Sequence, residues 1–263
     1  MELISIIGDA ARKAGAIMLE GVKSRREVFA KDGHANFVTS YDKKVQDFLF
    51  QTLGSAIPEA HFLGEENGKD TFSGEDTKGL TFVIDPIDGT SNFMKGLFPS
   101  VTSIGLLKDG APYLGVVYCP YADQLFSAEK GKGAFENGKQ IHTSKAPLKE
   151  SLVTMGTGPY YEGLPEKAFR QAALYMDRCI DIRRSGSAAF DLCMVAAGHT
   201  GLYFEPLIQL WDYCAGALIC TEAGGTVTGY DGRPLPFNGP SSVVAASEGV
   251  AKEKGYLPEQ ATD

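Results

Sequence analysis

In the first half of the chain, the spacing of apolar positions predicts two helices followed by a series of strands. Apolar residues recur at helical spacing over residues 2–22 and again from about Tyr41 to Leu53, so both segments are predicted to be amphipathic helices. The polar stretch between them, residues 31–40, is expected to be a loop. Short apolar runs separated by Asp-Gly, Gly-Lys-Gly and Asn-Gly turns then predict strands. These runs are residues 61–66, 80–86, 100–107, 113–120 and 124–130.

The second half of the chain alternates between helical and strand patterns. A short terminal helix is expected at the end of this half. The predicted helices are 165–177, 187–198 and a segment opening near Trp211-Asp212, and the predicted strands are 180–184, 201–205, 226–228 and 242–246. Such alternation is typical of an α/β half, whereas the strand-rich first half is of α+β type. We therefore expect two halves, residues 1–147 and 148–263, that share a large interface.

Composition and charge exclude several classes of function. The chain has 263 residues, of which 43% are hydrophobic and 22% are charged, and this balance supports a globular protein with a sizeable core. With 33 acidic and 25 basic residues the net charge is −8, which argues against binding to a nucleic-acid backbone. No apolar signal segment or membrane span is expected. Five cysteines without a Cys-x-x-Cys motif predict reduced thiols and a cytoplasmic location.

The strongest local signal for chemistry is the run from Phe82 to Phe93. A hydrophobic strand is expected to place Asp85 at its carboxyl end, and Pro86 is expected to set a turn that returns Asp88 beside Asp85. Two carboxylates on a rigid turn can bridge hard cations, and the N–H groups that follow can hold an anion at the start of a helix. The alternative is an Asp-Gly hairpin turn in which Asp85 is only a cap.

Further carboxylates follow other predicted strand ends and helix starts. Glu65 and Glu66 follow a strand, and we expect only one of them to face the site, unless both are solvated. Asp212 is either a plain N-cap of its helix or a cap whose second oxygen reaches a cation. Magnesium takes oxygen ligands of this kind. The four scattered histidines provide no competing zinc site.

Three segments taken together resemble the inositol monophosphatase family. They are Gly64-Glu65-Glu66, Asp85 to Phe93, and Trp211-Asp212 with the Glu-Ala-Gly-Gly that follows at residues 222–225. Their order and separations match the family, and the resemblance covers essentially the whole chain. It implies a layered αβαβα sandwich, often a homodimer, that hydrolyses phosphate monoesters with magnesium and is inhibited by lithium.

The resemblance also implies a role for individual residues. Thr90 would position the attacking water, with Asp42 orienting Thr90 and Glu65 assisting. Two Mg²⁺ ions, and a third held more weakly at Glu65, would use the ligands Glu65, Asp85, the carbonyl of Ile87, Asp88 and Asp212. The implied substrate contacts are Asp88, Gly89, Thr90, Gly186, Ser187, Ala188, Glu205 and Asp212. Lys31 and Asn36 match the family's mobile loop, and Asn36 stands where some members carry an aspartate.

The expected reaction is hydrolysis of a small phosphate monoester, inositol 1-phosphate or a related polyol or sugar phosphate. Fructose 1,6-bisphosphate, NADP, 3′-phosphoadenosine nucleotides and histidinol phosphate are alternatives on the same scaffold. Relatives that act on 3′-phosphoadenosine nucleotides tend to carry Lys-Glu where this chain carries Ser91-Asn92, which favours a polyol phosphate. A non-catalytic adaptor of the same fold and a structural calcium site are the remaining alternatives.

Overall fold

The N-terminal helices form as their periodicity predicts. The computed structural model describes residues 2–23, 28–30, 37–67 and 78–258. Helix α1 spans Leu3–Lys23 and α2 spans Ser40–Ala56. Strands β1 (Val28–Ala30) and β2 (Phe37–Thr39) pair antiparallel between them. The prediction of a loop over residues 31–40 was therefore wrong at its end, where a second strand and the helix start replace it. Lys31 and Asn36 lie outside the described residues.

A seven-stranded sheet occupies the next part of the chain. Its strands run in chain order across the sheet, with β3 and β4 parallel and every later pair antiparallel. They are β3 His61–Gly64, β4 Leu80–Asp88, β5 Val101–Lys108, β6 Ala111–Cys119, β7 Gln124–Glu129, β8 Ala134–Glu136 and β9 Lys139–Ile141. Asp109-Gly110 and Asn137-Gly138 form two-residue hairpin turns with positive φ at both positions, as that residue pair favours. The predicted strands and turns of this region are confirmed.

A five-stranded sheet and four helices complete the fold. The strands are β10 Leu152–Met155, β11 Asp181–Arg183, β12 Leu202–Ile208, β13 Thr226–Thr228 and β14 Ser241–Ala246, in the order β11-β10-β12-β14-β13. The helices are α4 Leu164–Met176, α5 Ala188–Ala196, α6 Leu210–Glu222 and α7 Glu248–Ala251. Strand β10 was not predicted from the sequence. Helix α5 ends two residues earlier than predicted, before Gly198 in the left-handed conformation.

The elements stack into five alternating layers. Helices α1 and α2 bury one face of the seven-stranded sheet, where Met18 and Leu49 share a cluster with Phe82. Helices α5 and α6 lie between the two sheets, and most of α6 is buried. Helices α4 and α7 cover the far face of the five-stranded sheet, where Tyr175 packs against Phe204. This arrangement confirms the mixed α/β fold and its αβαβα layering.

The two large sheets follow one another in sequence, with β9 ending at Ile141 and β10 beginning at Leu152. The division into halves 1–147 and 148–263 stays a prediction. The five cysteines are free, and four of them are buried. Across the described ranges, no helix is both long enough and apolar enough to cross a membrane.

Candidate metal centre

A β-bulge in β4 brings the two aspartates of the central motif to one site. The pairing of β4 with β5 shifts register by one residue between Asp85 and Asp88, and Asp85 Oδ1 accepts a hydrogen bond from the Ile87 N–H at 2.9 Å. Residues three apart on a regular strand point to opposite faces, and the extra residue of a bulge cancels that alternation. The expected turn at Pro86 was wrong, because the strand continues to Asp88 through the bulge.

Asp212 joins this pair from the start of α6. One carboxylate oxygen from each of Asp85, Asp88 and Asp212 lies within 4.8 Å of the others. The N-cap of α6 is Gln209, so the prediction that Asp212 is the cap was wrong. Asp212 is the third residue of the helix, and its Oδ2 accepts the Gln209 N–H at 2.8 Å in a capping box. The other Asp212 oxygen remains available to a cation.

Burial and mutual repulsion give these carboxylates raised pKa values. Loss of solvation and the charges of Glu65, Asp88 and Asp212 hold the pKa of Asp85 well above its ordinary value. The pKa of Asp88 is raised to about 7 by loss of solvation first and by the charge of Glu205. A buried cluster of like charges is unfavourable on its own, and divalent cations would compensate it. The chemistry of these oxygen donors therefore fits Mg²⁺.

Glu65 follows the neighbouring strand and acts on the aspartates through its charge, but the cluster of three oxygens does not include it. Strands β3 and β4 are parallel, so their carboxyl ends meet at one edge, and Glu65 opens a short 3-10 helix directly after β3. Its charge raises the pKa values of Asp42, Asp85 and Asp212. Strand alternation does not apply to the Glu65-Glu66 pair, because both residues lie in the 3-10 helix.

Helix α5 supports Asp88 through its first turn. Asp88 Oδ2 accepts hydrogen bonds from Ser187 Oγ and from the Ala189 N–H, both at 2.7 Å. Ser187 is the N-cap of α5, so the same residue caps the helix and orients the carboxylate. The Asn92 side-chain amide donates to the carbonyls of Pro99 at 2.6 Å and Ser185 at 2.8 Å. Asn92 thereby holds the segment before α5 against its own helix, α3 (Thr90–Lys95), a role that its place in the motif did not reveal.

Thr90 begins α3 (Thr90–Lys95) and faces Asp42, although 48 residues separate them. Thr90 Oγ1 lies 3.0 Å from the Ile87 carbonyl oxygen and 3.3 Å from Asp42 Oδ1. Asp42 Oδ2 accepts from Thr39 N–H at 2.8 Å and from Thr39 Oγ1 at 2.5 Å. Asp42 therefore caps α2 with one oxygen and meets Thr90 with the other. Loss of solvation raises the pKa of Asp42 to about 6.

Gly89 allows the chain to turn between β4 and α3. Its φ is 89°, and a Cβ at this position would lie 3.0 Å from the Pro99 carbonyl oxygen. Only glycine adopts this conformation without strain and leaves that space open. No side chain caps the first turn of α3. The backbone N–H groups of that turn therefore lie beside the aspartates without a side-chain acceptor, which suits an anion.

Glu205 lies at a bulge of β12, with both carboxylate oxygens already bonded within the protein. Oε1 accepts from the Gly158 N–H at 2.9 Å and Oε2 from the Tyr203 hydroxyl at 2.7 Å. A Cβ at residue 156 would come within 1.8 Å of Glu205 Oε2, so Gly156 leaves room for the carboxylate. Tyr203 was missed by sequence reasoning, although its spacing of two residues from Glu205 on one strand indicates a shared face.

Comparisons with known proteins agree over nearly the whole chain. The model of the inositol monophosphatase family matches residues 1–261. Inositol monophosphatase 1 of Solanum lycopersicum is 38% identical over 96% of this chain and 92% of its own length. Nus factor SuhB of Pasteurella multocida is 35% identical over 95% of this chain and 93% of its own length. The crystal structure of the extragenic suppressor protein SuhB from Bartonella henselae superposes with a TM-score of 0.85 at 32% identity, covering 94% of each chain.

A structure of staphylococcal IMPase-II with bound inositol monophosphate superposes with a TM-score of 0.80 at 29% identity. It covers 98% of this chain and 94% of that one. The same staphylococcal protein has also been crystallised with 2′AMP.

Proposed function

This chain belongs to the inositol monophosphatase family, and from that premise we propose that it is a magnesium-dependent phosphatase acting on a small phosphate monoester. The observation that carries the proposal is the triad of buried Asp85, buried Asp88 and half-buried Asp212 beside the first turn of α3. A cation site next to free backbone N–H groups suits a phosphate whose charge is shared between metal and amides. Inositol 1-phosphate is the proposed substrate.

The proposed metal ligands are those that the resemblance to the family implies. Glu65, Asp85 and the Ile87 carbonyl would hold one Mg²⁺, and Asp85, Asp88 and Asp212 would hold a second. A third ion would be held more weakly at Glu65. When bound, magnesium supplies Lewis acidity that acidifies a water and stabilises the departing alcohol oxygen. Ser187 and Gln209 orient two of the ligands from behind, as supporting hydrogen bonds do in metal sites.

Thr90 and Asp42 are proposed to orient the attacking water. The Thr90 hydroxyl has one proton and two acceptors within reach, the Ile87 carbonyl and Asp42 Oδ1. If the Ile87 carbonyl holds a cation, the proton is better placed on Asp42, and the Thr90 lone pair then faces the water. Asp42 Oδ1 can accept this hydrogen bond while Asp42 Oδ2 still accepts from Thr39, so the cap of α2 is kept.

The substrate would lie between α3 and the start of α5. Its phosphate would contact Asp88, Gly89 and Thr90, and its alcohol portion would contact Glu205 and Asp212. Segment Gly186-Ser187-Ala188 would form the adjoining wall, which Asn92 and Asp88 hold in place. Glu205 accepts two protein hydrogen bonds, yet each carboxylate oxygen has a second lone pair for a substrate hydroxyl. From the family we also expect that the protein forms a homodimer, is located in the cytoplasm and is inhibited by lithium.

A second candidate function comes from the names of the relatives. Several proteins similar to this chain are named Nus factor SuhB, so a role as an interaction partner that retains the fold is the alternative. Catalysis is supported by the clustering of Asp85, Asp88 and Asp212 and by the charge of Glu65, which raises the pKa of Asp85. Catalysis is therefore the first proposal to test.

The test is phosphate release from a panel of esters with and without magnesium. The panel holds inositol 1-phosphate, fructose 1,6-bisphosphate, NADP, 3′-phosphoadenosine 5′-phosphate and histidinol phosphate. We expect hydrolysis that requires magnesium and stops with a chelator. Asp212→Asn should lower kcat by several orders of magnitude on every ester, because it loses a ligand charge while its amide oxygen can still accept the Gln209 N–H.

Glu205→Gln should mainly raise KM and alter the order of preference among the esters, since Glu205 is proposed to touch only the alcohol portion. Equal losses for both variants on all esters would contradict this division of roles. Undiminished phosphate release in excess chelator would contradict the metal site itself, and no release from any ester would favour the interaction role.

A further inference from the structure

A tight turn projects from the end of β10 over the candidate site. The Tyr161 N–H donates to the Gly158 carbonyl at 3.1 Å, and Pro159 and Tyr160 are the two central residues of the turn. Proline suits the first central position of such a turn. The turn therefore has a defined shape, with Tyr160 at its tip.

Both ends of this turn are hydrogen-bonded to residues of the candidate site. At one end, the Gly158 N–H donates to Glu205 Oε1 at 2.9 Å. At the other end, the Tyr161 hydroxyl accepts from Gln209 Nε2 at 2.7 Å, and the Gln209 N–H is itself bonded to Asp212. The turn thus spans the distance between the carboxylate proposed to hold the alcohol and one proposed to hold a metal ion.

Tyr160 is held between these two anchors with half of its surface open. Its exposed fraction is 51%, which is unusual for an aromatic residue in a turn that is bonded at both ends. Loss of solvation and then the charges of Asp212, Glu65, Asp88 and Glu205 raise the pKa of the Tyr160 hydroxyl well above its ordinary value. The hydroxyl therefore stays protonated and remains a hydrogen-bond donor, in a turn that is bonded to two residues of a site made mostly of acceptors.

We propose that Tyr160 is a specificity-determining residue that contacts the alcohol portion of the substrate and selects ring-shaped polyols over open-chain ones. This inference rests on the proposed function. A flat aromatic face packs against the C–H face of a saturated ring, and the Tyr160 hydroxyl can donate to one of the hydroxyl oxygens that the ring carries. An open-chain alcohol has no rigid face to offer and loses more conformational freedom when it is held.

The test compares Tyr160→Ala and Tyr160→Phe with a matched control. Phe169→Ala removes another exposed ring, 60% exposed on α4, that has no place in the proposed site. For inositol 1-phosphate we expect Tyr160→Ala to raise KM about tenfold with little change in kcat. Tyr160→Phe should raise KM about threefold, because it keeps the ring and loses the donor. With glycerol 2-phosphate, both Tyr160 variants should keep the wild-type KM. With either substrate, Phe169→Ala should keep the wild-type KM.

A second measurement separates the alcohol side of the site from the phosphate side. Inorganic phosphate, tested as a competitive inhibitor with magnesium present, contacts only the phosphate and metal region. Its inhibition constant should be unchanged in Tyr160→Ala. A parallel rise of this constant and of KM would overturn the proposal, and so would equal KM changes for the cyclic and open-chain substrates.

The two proposals fail in different ways. If the wild-type protein releases no phosphate from any ester, the proposed function fails and this inference fails with it. If the wild type is active and Tyr160→Ala keeps the wild-type KM for inositol 1-phosphate, only the inference about Tyr160 fails. Unaltered melting temperatures of the variants would show that the KM changes do not come from unfolding.

Discussion

Raising the pH of the metal-free protein from about 5 to about 8 should ionise carboxylates that the fold holds close together. The pKa of Asp88 is raised to about 7 and that of Asp42 to about 6, from an ordinary 3.8, chiefly because burial removes water from both groups. Neither group is exposed enough for solvent to screen it. The metal-free fold should therefore lose stability over this range.

The sign follows from proton binding. Both pKa values are higher in the folded chain than in the unfolded one, so the folded state binds more protons between about pH 4 and pH 7. The resulting stabilisation is complete below the unfolded pKa and is lost as the pH rises through the folded pKa. Between about pH 5 and pH 8, Asp88 accounts for at most about 3 kcal/mol and Asp42 for about 1 kcal/mol. For a chain of this size, the melting temperature should fall by roughly 8–16 °C.

The assay is thermal unfolding in chelator across this pH range, repeated with saturating Mg²⁺. Magnesium should remove most of the pH dependence, because it stabilises the ionised cluster. Without magnesium, the melting temperature of Asp88→Asn should fall less as the pH rises. Added magnesium should also stabilise this variant much less than it stabilises the wild type. Its amide oxygen can still accept from Ser187 and Ala189.

The matched control is Asp47→Asn, which changes an exposed residue of α2 and should behave as the wild type. A metal-free protein that is as stable at about pH 8 as at about pH 5 would refute the reasoning. So would an Asp88→Asn variant that keeps the wild-type slope.

Two further predictions concern the pair at α3 and the space around Glu205. Thr90→Ala and Asp42→Asn should each lower kcat by about 10²–10³, and the double variant should be hardly worse, whereas losses that multiply would show independent action. Gly156→Ala should lower the free energy of unfolding by about 1–3 kcal/mol in chemical denaturation, because its Cβ overlaps a carboxylate held by two donors. Gly239→Ala, where the added Cβ meets open space, is the control, and an equal effect there would contradict the overlap.

Local patterns in the sequence were sufficient to predict most elements of the fold. Helix α1 follows from periodicity, because burying one face of a helix requires apolar side chains at helical spacing. Strands β4 to β7 follow from apolar runs between turns, and β4 and β5 are buried on both faces. The Asp-Gly and Asn-Gly turns follow from the positive φ that those residues tolerate. Strand β10 was missed, although the shorter strands β11 and β13 were predicted.

The resemblance of three motifs identified the candidate residues of the site, yet it did not show how the chain holds them. The bulge between Asp85 and Asp88 depends on the pairing of β4 with β5, so the sequence of β4 alone does not predict it. Sequence reasoning left Asp212 either a plain cap or a cap whose second oxygen reaches a cation, and the structure shows it as the third residue of α6, with Oδ2 accepting the Gln209 N–H and the side chain beside Asp85 and Asp88.

The sequence by itself determined most of the elements and the acidic motifs, since each depends on residues that are neighbours along the chain, whereas the layered arrangement was implied by the resemblance to a family. Only the tertiary structure decided which side chains meet. Thr90 reaches Asp42, Ser187 reaches Asp88 and Gly158 reaches Glu205 across separations of 48, 99 and 47 residues. Such contacts depend on how layers pack and where bulges fall, and packing depends on the whole core at once. The position of Tyr160 over the acidic site is a consequence of the same packing.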